Sequence, residues 1–276
     1  MDLDIDHLRG WIGREDSATE RLSADLVHRF AATFDRSWSL RQGAEAPPLI
    51  HLCLAQPTVA GAGLGEDGHP ARGGFLPPVP LPRRMWAGGA FRFHAPLRIG
   101  DAVTRRSTIT DVALKHGRSG PLLFVTVEHK IRARGRLALT ERQDLVYRAA
   151  APFKPSTARP AAEGGEVRRL TPGPVLLFRY SALTFNGHRI HYDRPYACEV
   201  EGYPGLVVHG PLQATLLVQF AAELKGTCPS RFAFRSVSTV FDTADMELHA
   251  SCEGHSLRLW TAQAGGPVAM EATASW

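Results

Sequence analysis

Between Ala90 and Tyr147 the chain runs as four stretches of β character broken by glycine-bearing turns, and this limits the fold more than any other feature. The runs fall at about 90–94, 102–114, 121–133 and 136–147, with RIGD, KHGRSG and ARG between them. Alternation of apolar and polar residues is clearest in LLFVTVEHKI, which places successive side chains on opposite faces of a sheet. Short turns join antiparallel neighbours, because parallel strands need a long crossover. The expectation is an antiparallel meander.

Upstream, ERLSADLVHRFAATF (20–34) spaces Leu22, Leu26, Phe30 and Phe34 four apart, which predicts one apolar helical face. The run PPLIHLCL (47–54) is compatible with strand or helix. Residues 56–90 are rich in glycine and proline and carry no period; so long an irregular segment inside a domain is usually functional or mobile. Residues 150–168 have linker composition. Beyond them, VLLFRYSALTF (175–185) reads as strand-like, and PLQATLLVQFAAEL (211–224) as a helix with Pro211 in its first turn. FRSVSTVF, ELHASCEG, SLRLWTAQ and PVAMEATASW close the chain as strands. Each half therefore offers a helix followed by an antiparallel meander, a pattern that suggests duplication without any direct residue repeat. The expected division is 1–149, a linker at 150–168, and 169–276.

Composition narrows the setting. The chain has 276 residues, 44% hydrophobic and 21% charged, as in an ordinary globular protein. Its four cysteines are scattered without a CxxC pair, which suits free thiols in a reducing compartment. MDLDIDHLRGWIG has neither the basic start nor the apolar core of a secretion signal, and no run of 18 apolar residues occurs, so a cytoplasmic protein without a membrane span is expected. The net charge is +5 and the pI near 9.3. The arginines are dispersed rather than clustered on one face, which argues against nucleic acid; a small anionic ligand, such as a nucleotide-bearing thioester, explains the excess equally well.

The densest chemistry lies in FNGHRIHYDRPYA (185–197). Asn186, His188, His191 and Asp193 fall close together, and Gly187 places them on an irregular turn. One reading is a metal site from His188, His191 and Asp193. Zinc motifs, however, usually carry their histidines four apart on a helix, which Gly187 disfavours. Another reading is acid–base work: imidazole titrates near neutrality, and an amide beside it can hold water by accepting and donating hydrogen bonds. A third is a half-buried polar turn with no chemistry. Downstream, LVVHGPLQATLL puts Gly210 at a helix start, where its backbone N–H and the helix dipole can polarise a carbonyl. A plain helix start is the alternative there.

RYSALTFNGHRIHYDRPYA and GYPGLVVHGPLQATLL together resemble the hydratase motif of the MaoC-like enoyl-CoA hydratases and dehydratases, Asp-x-Asn-Pro-Ile/Leu-His with a downstream His-Gly. LGEDGHPARGGFLPPVPLPRRMWAGG and FHAPLRIGDAVTRRSTITDVALKHGRSGPLLFVTVEH resemble the degenerate partner half of the same enzymes. The resemblance spans roughly 20–276 and is strongest to the mesaconyl-CoA and itaconyl-CoA hydratase branch, with mitochondrial-type hydroxyacyl-thioester dehydratases near it. It implies an α+β double hot-dog fold, two antiparallel sheets each wrapped around a central helix.

The same resemblance assigns residues. The family's catalytic histidine falls on His191 and its aspartate on Asn186, which cannot act as a base; its Asn-Pro falls on His188 and Arg189. His209 and Gly210 match the His-Gly pair, with Gly210 as the backbone donor to a thioester carbonyl. The implied reaction is reversible hydration of a short branched dicarboxylic 2-enoyl-CoA. The CoA thioester would be the substrate, with no metal and no other cofactor, and a homo-oligomer is possible. A terminal acyl carboxylate calls for an arginine, and Arg84 and Arg189 are the candidates. Two other readings stay open: a 3-hydroxyacyl-thioester dehydratase of fatty-acid or polyketide type, and a non-catalytic acyl-thioester binding protein.

Overall fold

A computed structural model describes residues 3–117 and 120–276. In chain order the N-terminal half contains α1 (Ile5–Arg9), β1 (Glu15–Arg21), α2 (Ala24–Thr33), β2 (Arg83–Phe93), β3 (Ala102–Gly117), β4 (Gly120–Ala133) and β5 (Arg136–Arg148). The C-terminal half contains β6 (Glu166–Leu170), α3 (Pro174–Leu183), α4 (Gly210–Lys225), β7 (Arg231–Ser236), β8 (Met246–Glu253), β9 (Ser256–Gln263) and β10 (Val268–Ser275).

Local chemistry explains the main boundaries. Leu26 N donates to Ser23 Oγ at 3.1 Å to cap α2, and Leu26, Val27 and Phe30 bury the expected face. The ARG turn between β4 and β5 places Arg134 and Gly135 at φ of 51° and 78°, the left-handed pair that a tight hairpin requires. Residues 175–185 correct the strand expectation, since α3 occupies most of them. Gly173 and Pro174 start the helix, and Leu177, Tyr180 and Ser181 bury one face. Val175 and Phe178 stay exposed on the opposite side, so apolar residues surround the helix and mask its period. β6 begins inside the expected linker. The segment before it is pinned to the C-terminal half, where Ala161 N donates to Gly266 O (2.8 Å) and Trp260 Nε1 to Ala162 O (3.1 Å). β7 stops at Ser236, short of the run predicted to Phe241.

The ten strands form one antiparallel sheet in the order β1-β3-β4-β5-β2-β7-β10-β9-β8-β6. The order is a palindrome about the β2–β7 seam, so each half contributes the same five-strand pattern. This is the expected double hot-dog arrangement, with its two sheets joined edge to edge. At the seam Gly88, Gly89 and Ala90 face Arg235, Phe234 and Ala233. A Cβ on Gly89 would meet Arg142 O at 2.3 Å and the Phe234 ring at 2.9 Å, so close approach requires glycine there.

The halves differ in what their sheets enclose. The C-terminal half surrounds α4, whose Leu212–Ala221 stretch is buried throughout. At the equivalent place the N-terminal half has only a short 3-10 turn, Ile50–Cys53, followed by the irregular segment 54–82. Where a second long helix would pack there is a cavity of about 830 Å³, lined by both halves.

Candidate active site

The catalytic-looking turn starts where α3 ends. Thr184 Oγ1 donates to Tyr180 O (2.8 Å), and Phe185 takes φ of 50°. His188 N then donates to Asn186 Oδ1 (3.0 Å), an Asx turn that fixes the loop. A 3-10 turn, Arg189–His191, follows and delivers His191 into the core. One lone pair of the Asn186 oxygen is thereby occupied, and among the described residues its amide N–H groups have no acceptor and can serve a water.

His191 is buried, and its Nδ1 lies 2.7 Å from Val207 O. A carbonyl only accepts, so Nδ1 carries the hydrogen and Nε2 keeps a lone pair. Burial holds its pKa down at about 4 against a weaker upward pull from the Val207 bond, so the ring is neutral near pH 7. His209 is fully buried and stacks on His191, with centroids 3.7 Å apart and planes at 17°. Its Nε2 is 2.8 Å from Ser181 Oγ, and its Nδ1 has no partner among the described residues. Burial, then the neighbouring His191, pushes His209 well below the usual histidine range. His209 therefore acts as a neutral wall behind His191.

Gly210 opens α4 with Pro211 directly after it. Its N–H belongs to the first turn, which has no intrahelical acceptor, and the residue lines the cavity. A Cβ there would lie 2.9 Å from the Trp86 ring, so the indole of the N-terminal half packs on the position that must stay bare.

The cavity joins this C-terminal machinery to residues of the N-terminal half. His69, Arg84 and Tyr147 line it beside His188. The N-terminal half also supplies a polar wall: Ser107 Oγ bonds His129 Nδ1 (2.7 Å), His51 Nε2 meets Glu141 Oε2 (3.2 Å), and Arg105 Nη1 donates to Gln56 Oε1 (3.3 Å). None of these six was singled out from the sequence, because each lies alone in a strand, in the short 3-10 turn or in the aperiodic segment.

The two candidate arginines separate. Arg84 faces the cavity with no carboxylate bonded to it among the described residues. Arg189 does not line the cavity. Its guanidinium pairs with Asp193 (2.8 Å), donates to Glu66 O (3.1 Å) and covers the Tyr196 ring at 4.1 Å. The expectation that Arg189 meets an acyl carboxylate is corrected on that ground.

The metal trio from the motif also fails to converge, since Asp193 is held by Arg189 and Nδ1 of His191 by Val207. Asp67, His69 and His188 do bring donor atoms within 4.8 Å of one another. Both Asp67 oxygens, however, already accept from His69: Oδ1 from the backbone N and Oδ2 from Nδ1, each at 3.0 Å. Those two bonds make an imidazole–carboxylate pair out of two of the three donors.

The sequence matches the hydroxyacyl-thioester dehydratase type 2 family over residues 49–242. It is 44% identical over 267 residues to the mesaconyl-C(4)-CoA hydratase of Chloroflexus aurantiacus, covering 95% of each chain. It is 27% identical to the mitochondrial hydroxyacyl-thioester dehydratase type 2 of Schizosaccharomyces pombe, covering 76% of this chain and 77% of that one. A Mycobacterium tuberculosis protein of double hot-dog fold superimposes with a TM-score of 0.60, at 16% identity, over 95% of both chains. The sequence matches define a class, the hydro-lyases, enzymes that add or remove water, and the fold is the one seen in MaoC-like dehydratases. Within that class, this chain belongs to the hydroxyacyl-thioester dehydratase type 2 family.

Proposed function

We propose that the protein reversibly hydrates a short branched dicarboxylic 2-enoyl-CoA of the mesaconyl or itaconyl type. The observation that carries this reading is the pairing of an unprotonated His191 Nε2 with the Gly210 N–H across one cavity that also exposes Arg84. The Chloroflexus hydratase, matched along nearly its whole length, supports the substrate class.

The thioester makes the β-carbon electrophilic. His191 Nε2 and the Asn186 amide hold a water beside it, and His191 takes a proton as oxygen bonds to the β-carbon. The π pair moves toward the thioester oxygen, where the Gly210 N–H and the α4 dipole stabilise the enolate. A proton then returns to the α-carbon. The acyl carboxylate pairs with Arg84. The CoA thioester is substrate, and the reading requires no metal and no other cofactor. It places the enzyme in the cytoplasm, without a membrane or nucleic-acid partner, as a possible homo-oligomer. Among the described residues no helix is long and apolar enough to cross a membrane.

The test is hydration of mesaconyl-CoA, itaconyl-CoA and crotonyl-CoA by purified protein, with His191→Ala alongside. Preference for the dicarboxylic thioesters is expected, with a loss in the variant of about 100-fold or more. Full activity in His191→Ala rejects the mechanism. Preference for long acyl chains favours the fatty-acid dehydratase reading, and tight binding without turnover favours an acyl-thioester carrier. Arg84→Met should raise KM for mesaconyl-CoA while leaving crotonyl-CoA little changed.

A further inference from the structure

The turn that the N-terminal half sends into the active site repeats the turn it meets there. Asp67-Gly68-His69 and Asn186-Gly187-His188 share one pattern and one hydrogen bond, although Gly68 is left-handed and Gly187 is not. In each, the histidine N donates to the first residue's Oδ1 at 3.0 Å. The two glycines abut: a Cβ on Gly68 would lie 1.9 Å from Gly187 O, and one on Gly187 would lie 2.7 Å from Gly68 O. Gly68 also takes φ of +83°. Arg189 N donates to Asp67 O (2.9 Å), and its guanidinium to Glu66 O (3.1 Å), which locks the turns together. The result is a row of rings, His69 to His188 at 4.0 Å and His188 to His191 at 5.3 Å between centroids.

The two turns differ chemically in one respect. Asn186 is an amide at the position where the family motif has its acid–base aspartate. Asp67 is a carboxylate, and its second oxygen accepts from His69 Nδ1 at 3.0 Å. The bond fixes the tautomer of His69 and leaves Nε2 as the atom that can exchange a proton. Among the described residues, no other carboxylate is hydrogen-bonded to any ring of this row.

We propose that Asp67 and His69 form the second acid–base dyad of this site and supply from the other half the carboxylate that the motif lacks. The inference rests on the hydratase reading. As oxygen bonds to the β-carbon, one O–H bond of water breaks and its proton goes to His191 Nε2. The C=C π pair moves to the α-carbon and thioester oxygen. The proton on His191 exchanges with solvent in the cavity, and a proton taken up there reaches His69 Nε2, where Asp67 stabilises the imidazolium as counter-ion. His69 then delivers it to the α-carbon, whose enolate pair forms the C–H bond. Protons and electrons balance, both histidines end neutral, and no co-reactant is needed. In the dehydration direction His69 removes the α-proton.

His69→Gln and Asp67→Asn are assayed with mesaconyl-CoA, and the hydrated product is incubated in D2O to follow exchange at its α-carbon. His69→Gln should lower kcat about 100-fold or more, with KM held within about 3-fold and Tm unchanged. The double variant should lose no more than His69→Gln alone, because the pair acts as a unit. The split that a structural role would not produce is in exchange: His191→Ala should keep α-proton washout while His69→Gln loses it. Should His69→Gln fold poorly, Asp67→Asn carries the test through a displaced pH profile at wild-type KM. Wild-type kcat and washout in both variants overturn the proposal. So does wild-type activity that is lost to a chelator and restored by Zn2+, which would put an ion among Asp67, His69 and His188. A wild-type chain that hydrates none of the three acyl-CoAs rejects the functional reading first.

Discussion

Gly210 carries two demands at once, and they can be separated by mutation. In the proposed mechanism its N–H faces the thioester oxygen, and its bare Cα must admit the Trp86 ring, 2.9 Å from where a Cβ would be. Gly210→Ala should therefore cost about 10–100-fold in kcat/KM by displacing the indole and the donor together. Trp86→Leu in the same chain should recover part of that loss; no recovery would show that the backbone donor alone is affected. The buried histidines make a second prediction at this scale. His69 and His191 are held near pKa 4 by burial, with Arg84 adding to the effect at His69. Their folded values lie below the unfolded value of about 6.5, so the unfolded chain binds more protons between about pH 4 and 6.5, and stability falls as pH drops through that window. Asp67, brought to about 2 as the His69 bonds outweigh the upward push of burial, contributes its loss only below that range. Tm should fall by roughly 5–10 °C from pH 7 to pH 5, and His69→Gln should flatten the slope.

Arg189 shows how an element is positioned by a residue that lies outside the cavity lining. Its bonds to Asp193 and Glu66 O and its contact with Tyr196 tie segment 64–70 to the motif turn. Arg189→Met should lower kcat for every acyl-CoA by a similar factor, unlike the acyl-selective effect expected at Arg84; a mesaconyl-specific KM change would contradict this. The contrast also shows what was legible in the sequence. His191, Asn186 and Gly210 could be read because they lie in two short runs where turn and helix-start chemistry is local. The β3–β4–β5 meander was legible for the same reason, since alternation and glycine turns act over a few residues. Asp67 and His69 were not, because they sit in an aperiodic segment and gain meaning only when Gly68 meets Gly187 across the fold. α3 was misread because Val175 and Phe178 leave its outer face apolar, erasing the periodicity that separates helix from strand. The roles of the two arginines depended on contacts that no spacing rule encodes.

At the scale of the molecule, the cavity follows from a repeated strand pattern whose two halves enclose different things. Two five-strand halves meet at β2–β7, but only one holds a long central helix, and the space opposite it is the cavity. That arrangement binds the halves to one another. Leu22, Phe30 and Leu52 of the first half share a core with Leu177, Leu212 and Phe220 of the second. Without its partner the N-terminal sheet would expose a seam edge and a partly apolar concave face, and α4 would lose part of its cover. The two halves should therefore unfold in one transition, with fluorescence and far-ultraviolet circular dichroism giving the same midpoint. Gly89→Val provides the sharper test. It drives a branched side chain against Arg142 O and the Phe234 ring, at a cost of about 1–3 kcal/mol. If the seam couples the halves, the single transition moves to lower temperature and stays single. If the halves are independent, the same variant splits the curve and leaves the transition of the C-terminal half, with α4 at its centre, where it was.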